Sequence, residues 1–238
     1  GLTVNFASGI SRCAGEYIAI LDNDDYWTDP RKLQKQVEYM EANPSVVICY
    51  HPVELLLNGV LKPDEFRRPP LISDINELAK GNFISSQSIM FRASAFEGFP
   101  PEYFSSPVND YFLLMLLAKN GLIGRIDECM AVYRIHSKSD WSSRRDQDPA
   151  ILKYLECMIG LFEADINELL INRHKKIASK RLLTLIEESN FDERLSQSVK
   201  YGSDVLQETL GEVWAQRSLR YQLKQMIKNI NLMFRGSS

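Results

Sequence analysis

The chain has 238 residues, 45% of them hydrophobic and 25% charged, enough apolar material for one domain with a real core plus an appendage. A net charge of -3 leaves no electrostatic footprint for nucleic acid, and the longest apolar run, Phe112 to Ala118, is much too short to span a bilayer. Four cysteines (Cys13, Cys49, Cys129, Cys157) lie far apart without a C-x-x-C pair, three of them in apolar stretches; with no signal peptide opening the chain, they read as reduced core thiols of a cytoplasmic protein.

In chain order, a short helix from Gly9 is expected to end at Gly15 and feed a strand, Tyr17 to Leu21. Five apolar or aromatic residues in a row suit a strand buried on both faces. Such a strand cannot hold acids in its middle, so Asp22, Asn23, Asp24 and Asp25 must lie at its carboxyl end, where open α/β sheets bind ligands. Carboxylates one residue apart can both face a hard divalent cation, which usually keeps positions open for substrate phosphates. A candidate metal and diphosphate site results. Thr28-Asp29-Pro30 is a helix start, so capping is the competing account of part of this acidity. An EF-hand loop does not fit, because Trp27 and Leu33 stand where its glycine and glutamate belong.

Leu33, Val37 and Met40 repeat at helical spacing between Pro30 and Ala42, and Asn43-Pro44 stops that helix. Val46 to Tyr50 is a β-branched strand, Asn58-Gly59 breaks Val53 to Leu61 into a hairpin, and Lys62 to Pro70 is a surface loop. Ser73 is expected to cap a helix over Asp74 to Lys80, closed by Gly81. Phe83 to Arg92 reads as a strand with a polar entrance, and Asn109-Asp110 opens an apolar helix, Tyr111 to Lys119. Strands at Ile123 to Asp127 and Met130 to Ile135 follow, the second running into His136 and the polar stretch to Trp141. Beyond a boundary near Ser143 the signals are helical: Ile151 to Ile171, Lys175 to Glu188, Arg194 to Leu210 and Val213 to Phe234.

Three stretches in this order, G-E-Y-I-A-I-L-D-N-D-D-Y-W-T-D-P-R-K-L-Q-K-Q (15–36), Asn109-Asp110-Tyr111 before an apolar helix, and A-V-Y-R-I-H with W-S (131–142), resemble glycosyltransferase family 2. The resemblance implies an α/β fold of the GT-A type, a Rossmann-like mixed sheet flanked by helices, in residues 1–143. An all-helical extension, 144–238, would follow. The family's opening βαβ units are missing from this sequence, which reads as a truncated chain, inactive alone.

The resemblance also implies roles. Asp22 and Asp24 match the two acids of the family's D-x-D motif, with Asn23 and Asp25 beside them in the nucleotide-sugar site. Asp22 would face the ribose or a metal-bound water, and Asp24 would hold Mg²⁺ or Mn²⁺ against the diphosphate. His136 matches a histidine that some members use as a further metal ligand, and Asp110 matches the catalytic base of inverting members. Ser85, Ser86 and Gln87 fall where the acceptor cleft is lined, and Trp141 where the sugar or acceptor is covered. Asn109 stands where many members have Glu, so one carboxylate replaces the usual acidic pair. Read from the residues alone, Asp110 equally suits a helix N-cap and His136 a hydrogen-bonded structural role.

The implied activity is metal-dependent, inverting transfer of a sugar from a nucleotide-diphospho-sugar to a hydroxyl of a glycan or lipid-linked acceptor, in the synthesis of lipopolysaccharide, capsule or exopolysaccharide. The alternative is a non-catalytic nucleotide-sugar-binding or scaffolding module. No glycine-rich phosphate loop supports phosphoryl transfer. Between Arg217 and Arg235 the charges are all positive and interleave with Leu219, Leu223, Met226, Ile227, Ile230 and Phe234. That stripe suits packing against the other C-terminal helices or a second subunit, or peripheral contact with the inner face of a membrane.

Overall fold

The computed structural model describes residues 2–136, 141 and 146–188. Helix α1 (Leu2–Arg12) comes first, then strands β1 (Tyr17–Ala19) and β2 (Tyr26–Trp27), helix α2 (Lys32–Ala42) and strand β3 (Val46–Tyr50). A hairpin of β4 (Glu54–Leu57) and β5 (Val60–Pro63) follows, then β6 (Ile72–Ser73), helix α3 (Ile75–Ala79) and β7 (Met90–Arg92). Helix α4 (Asp110–Ala118), strands β8 (Leu122–Arg125) and β9 (Ala131–Ile135), and helices α5 (Asp148–Met158) and α6 (Ala164–Glu188) complete the described elements.

Two mixed sheets result. The larger has the order β1-β7-β3-β8-β6, with β3 and β8 parallel and the other pairs antiparallel. The smaller has the order β2-β9-β4-β5, with β4 and β9 parallel. All five residues of β3 are buried, as its continuous apolar sequence demands of a strand with neighbours on both edges. Helix α4 is apolar nearly all round, and Tyr111, Phe112, Leu113, Leu114, Met115, Leu117 and Ala118 are buried in the main core. The Tyr111 hydroxyl donates to the Leu78 carbonyl (2.8 Å) at the end of α3.

The hairpin turns where Asn58-Gly59 demands it, with φ of 52° and 79° at those residues. Other boundaries differ from expectation. Helix α1 starts at Leu2 rather than Gly9 and ends at Arg12, burying Ala7 and Ile10. Only Ile18 of β1 is fully buried, so that strand is not covered on both faces. Asp74, not Ser73, caps α3, accepting the Glu77 backbone N–H at 3.1 Å, while Ser73 pairs with Ile123 in the sheet. Over Phe83 to Arg92 only the last three residues are strand, preceded by a 3₁₀ turn at Ser86–Ser88. Helices α5 and α6 break at 159–163 and run unbroken through 171–175, unlike the expected pair. Cys49 and Cys157 are buried, but Cys13 and Cys129 are exposed, so two of the four thiols are not core residues.

The described residues up to Ile177 belong to one compact unit. Ser143 and the helical patterns beyond residue 188, including the basic stripe, lie outside the described residues. No described helix is long and apolar enough to cross a membrane.

Candidate active site

The acid cluster is built by β1 and the reversal that follows it. Ile20 still donates its N–H to the Ile89 carbonyl (3.2 Å), which keeps the chain beside the approach to β7; Asp25 N–H then donates to the Asp22 carbonyl (3.2 Å), closing a turn over Asn23 and Asp24. Strand β2 pairs antiparallel with β9, Tyr26 opposite Val132 and Trp27 opposite Ala131. That register fixes what meets the acids, since residues before Tyr26 must face residues after Val132. Arg134 donates its backbone N–H to Asp25 Oδ1 (2.8 Å), and His136 Nε2 lies 2.9 Å from Asp24 Oδ2.

Asp25 is buried and its pKa is pushed up to about 7, chiefly by desolvation, with the charges of Asp24 and Asp22 adding to the rise. It therefore serves the turn more than a ligand: Oδ1 anchors β9, and Oδ2 is buried without a hydrogen-bond partner. Asn23 sits at the tip of the turn. Asp22 and Asp24 remain on the open side.

The second wall is the 3₁₀ turn. Ser86 Oγ donates to Asp22 Oδ2 at 2.6 Å, joining residues 64 positions apart. Ser85 Oγ donates to Gln87 Oε1 (2.9 Å), and the Gln87 carbonyl accepts from Trp27 Nε1 (3.0 Å). Gln87 is thus wholly buried and braces the turn from behind, leaving Ser86 as the hydroxyl nearest the acids. Behind both walls Lys32 Nζ lies 4.4 Å above the Trp27 ring and donates to Gln36 Oε1 (2.7 Å). Gln36 Nε2 in turn donates to the carbonyls of Cys49 (3.1 Å) and Ser88 (2.8 Å). This bracing set was missed in the sequence. Its one local signal is the i,i+4 spacing of Lys32 and Gln36 on a helix.

Asp110 is the first residue of α4, and Asn109 before it makes no side-chain capping bond. Burial pushes the Asp110 pKa up to about 6; the backbone N–H of Tyr111 opposes that rise, and the charge of Asp22 adds to it. Asp22 is therefore within electrostatic reach of Asp110. Trp141 packs against the main core.

Asp24 and His136 offer an oxygen and a nitrogen donor side by side, and Asp22 a further carboxylate held by Ser86. Among the described residues no group of three His, Cys, Asp or Glu side chains is arranged to hold a metal. The pair still fits Mg²⁺ or Mn²⁺, because such ions are commonly held by one or two protein ligands with substrate phosphates and water filling the rest.

Residues 1–99 match the family model described as Glycosyl transferase family 2. That region belongs to glycosyltransferase family 2. Outside the family 2 region lie Asp110, His136 and Trp141. Two uncharacterized proteins, Rv1520 of Mycobacterium tuberculosis and Mb1547 of Mycobacterium bovis, are each 37% identical to the chain over 151 residues, covering 60% of the chain and 41% of the relative. The chain thus spans about two-fifths of the length of the curated relatives it matches. Among solved structures, the crystal structure of S. aureus TarS 1-349 is similar with a TM-score of 0.51 and 15% identity, over 74% of this chain and 52% of that one. The likeness concerns the fold, and it agrees with the mixed α/β, GT-A type architecture expected from the motifs.

Proposed function

We propose that the family 2 region and the segment through His136 form the catalytic centre of an inverting glycosyltransferase, which moves a sugar from a nucleotide-diphospho-sugar to an acceptor hydroxyl. The observation that carries this reading is the contact of Asp24 with His136 across 112 residues, beside an Asp22 that Ser86 holds and whose charge reaches Asp110. Acids scattered along the chain for capping or solubility have no reason to converge with a histidine at one end of a sheet.

In this reading Asp24 and His136 hold a divalent cation, Mg²⁺ or Mn²⁺. When bound, the ion supplies positive charge where the leaving diphosphate gains negative charge. Asp22 and the turn residues Asn23 and Asp25 shape the donor site, and Ser85 and Ser86 line the acceptor side, with Gln87 positioning them. Trp141 is assigned to cover the bound sugar. Asp110 accepts the proton of the acceptor hydroxyl as that oxygen bonds to C1 and the bond from C1 to the diphosphate oxygen breaks. A carboxylate titrating at about 6 is ionised at neutral pH yet more basic than an ordinary aspartate, which suits that task. Attack from the face opposite the leaving group inverts the anomeric centre. Surface-glycan synthesis at the cytoplasmic face of a membrane is the setting we assign to it, with a glycan or lipid-linked acceptor.

The test is Asp110→Asn in a catalytically active form carrying this sequence. Asn keeps size and capping ability but cannot take the proton, so kcat should fall roughly 10²–10⁴-fold with donor affinity unchanged. Near-normal transfer by that variant would leave Asp110 structural and withdraw the inverting assignment.

A further inference from the structure

Lys32 occupies a position that three separate effects disfavour. It is wholly buried, so its ammonium has left water. It is the first residue of α2, at the positive end of the helix dipole, and no acid stands in that helix's first turn. Among the described residues no carboxylate pairs with it; its contacts are Gln36 Oε1 at 2.7 Å and the Trp27 ring, with the centroid 4.4 Å from Nζ. Burial accordingly pulls its pKa down to about 8. A side chain needed only to fill this space would be apolar, because an unpaired buried charge costs stability. A charge kept against that cost points to a function.

The two groups that the ammonium touches are the two that hold the serine turn, Ser86–Ser88. Trp27 Nε1 donates to the Gln87 carbonyl (3.0 Å), and Gln36 Nε2 donates to the Ser88 carbonyl (2.8 Å). An ammonium only donates, so it obliges Gln36 to turn Oε1 toward it. Both N–H bonds of Gln36 Nε2 are then left for the carbonyls of Ser88 and Cys49. The same charge attracts the face of the Trp27 indole, an attraction that is stronger away from water. One ammonium thus fixes the holders of two successive carbonyls of the turn. Ser86 opens that turn, and its Oγ donates to Asp22 Oδ2 at 2.6 Å.

We propose that Lys32 is a positioning residue: its charge clamps Trp27 and Gln36, these set the serine turn, and Ser86 then holds Asp22 in place for the donor's diphosphate. The donor clause rests on the glycosyl-transfer reading; the clamp does not. Of the titratable groups whose charge reaches Lys32, burial pushes the Cys49 thiol on β3 up to about 12 and the His51 ring after β3 down to about 4. Both are neutral at pH 8, so neither supplies nor cancels the clamping charge.

The test compares the parent with Lys32→Met, Ser86→Ala and the double variant. Met keeps much of the length and packs its thioether on the indole, so chiefly the charge is removed. Hydrogen exchange read by NMR reports the clamp through the Trp27 indole N–H and the backbone N–H groups of Ser88 and Ile89, which donate to Ser85 (3.0 Å) and Ser86 (3.1 Å) within the turn. Lys32→Met should speed exchange at these three groups about tenfold and leave the amides of β3 unchanged. Calorimetry with Mg²⁺ and UDP, GDP, ADP or dTDP reports the donor clause. Each single variant should weaken the nucleotide that the parent binds about tenfold, and the double variant no further, because both changes break one path.

Unchanged exchange in Lys32→Met, or losses of affinity that add in the double variant, would overturn the proposal. If Lys32→Met does not fold, the parent alone decides: the Trp27 ring and the amides of Ser88 and Ile89 should shift with the midpoint of the Lys32 Nζ resonance itself, and resonances that ignore that midpoint would overturn the clamp. Faster exchange in Lys32→Met, with no nucleotide bound by the parent, would uphold the clamp and withdraw the donor clause together with the glycosyl-transfer reading.

Discussion

Two opposing influences meet at Asp110: a helix N-terminus favours the charged carboxylate, and burial disfavours it. Burial wins, and the pKa rises to about 6. If Asp110 is the base, kcat/KM should fall about tenfold per pH unit below about pH 6, and the Asn variant should lack that limb. The same shift has a stability consequence. An acid whose folded pKa is raised keeps its proton in the folded state where the unfolded chain has released it. Its stabilising contribution is therefore present at low pH and lost as pH rises through about 6. Asp110→Asn should then be at least as stable as the parent at pH 8 in thermal unfolding, and a clear loss of Tm there would contradict this account.

His51 runs the other way. Burial depresses its pKa to about 4, so the folded state resists protonation, and stability is present above the unfolded pKa and lost as pH falls from there through about 4. The loss is on the order of 3 kcal/mol at full protonation. Unfolding free energies of the parent and His51→Asn, compared between pH 7 and pH 4, should converge as pH falls. A constant difference across that window would show that His51 does not titrate as described.

At the scale of elements, strand β8 closes against α2 through a residue that cannot be enlarged. A Cβ on Gly124 would lie 2.5 Å from Tyr39 Cε1 and 3.0 Å from Val46 Cγ1. Gly124→Ala should therefore cost roughly 1–3 kcal/mol in denaturant unfolding, as overpacking does, and Tyr39→Ala in the same chain should recover part of it. An Ala variant as stable as the parent would mean the helix and strand are not packed so closely.

Elements were legible where periodicity and a stop signal agreed: α2 ended by Asn43-Pro44, β3, the Asn58-Gly59 hairpin and α4. They were misread where a local signal carried no structural demand. Gly9 looked like a helix boundary, yet a Cβ there would meet nothing, so the glycine is simply tolerated inside α1. Ser73 and Asp74 are adjacent capping residues, and only the strand pairing of Ser73 decides between them. The break between α5 and α6 rests on Gly160 at φ 98° and on the Asn167 side chain accepting its N–H at 2.8 Å, a contact seven residues away that no period reveals.

Across the whole molecule, the acids, Ser86, Asp110 and His136 could be named in advance because each sits in a recognisable stretch, but their meeting required a fold that brings residues 22–25, 86, 110 and 136 to one place. The parts read least well are those whose role depends on tertiary neighbours. Asp25 was expected beside the D-x-D acids in the nucleotide-sugar site, and its buried side chain also anchors β9; Gln36 looked like an ordinary helix residue and ties β3 to the serine turn.

The central claim is that Asp24 and His136 complete a cation site only together with a donor's diphosphate, and isothermal titration calorimetry tests it most directly. Nucleoside diphosphates should bind the chain weakly with EDTA present and at least tenfold more tightly with Mg²⁺ or Mn²⁺, because the phosphates and the two side chains share the ion. Asp24→Ala should abolish that enhancement. Nucleotide affinity that is the same with EDTA as with the metal would contradict the account.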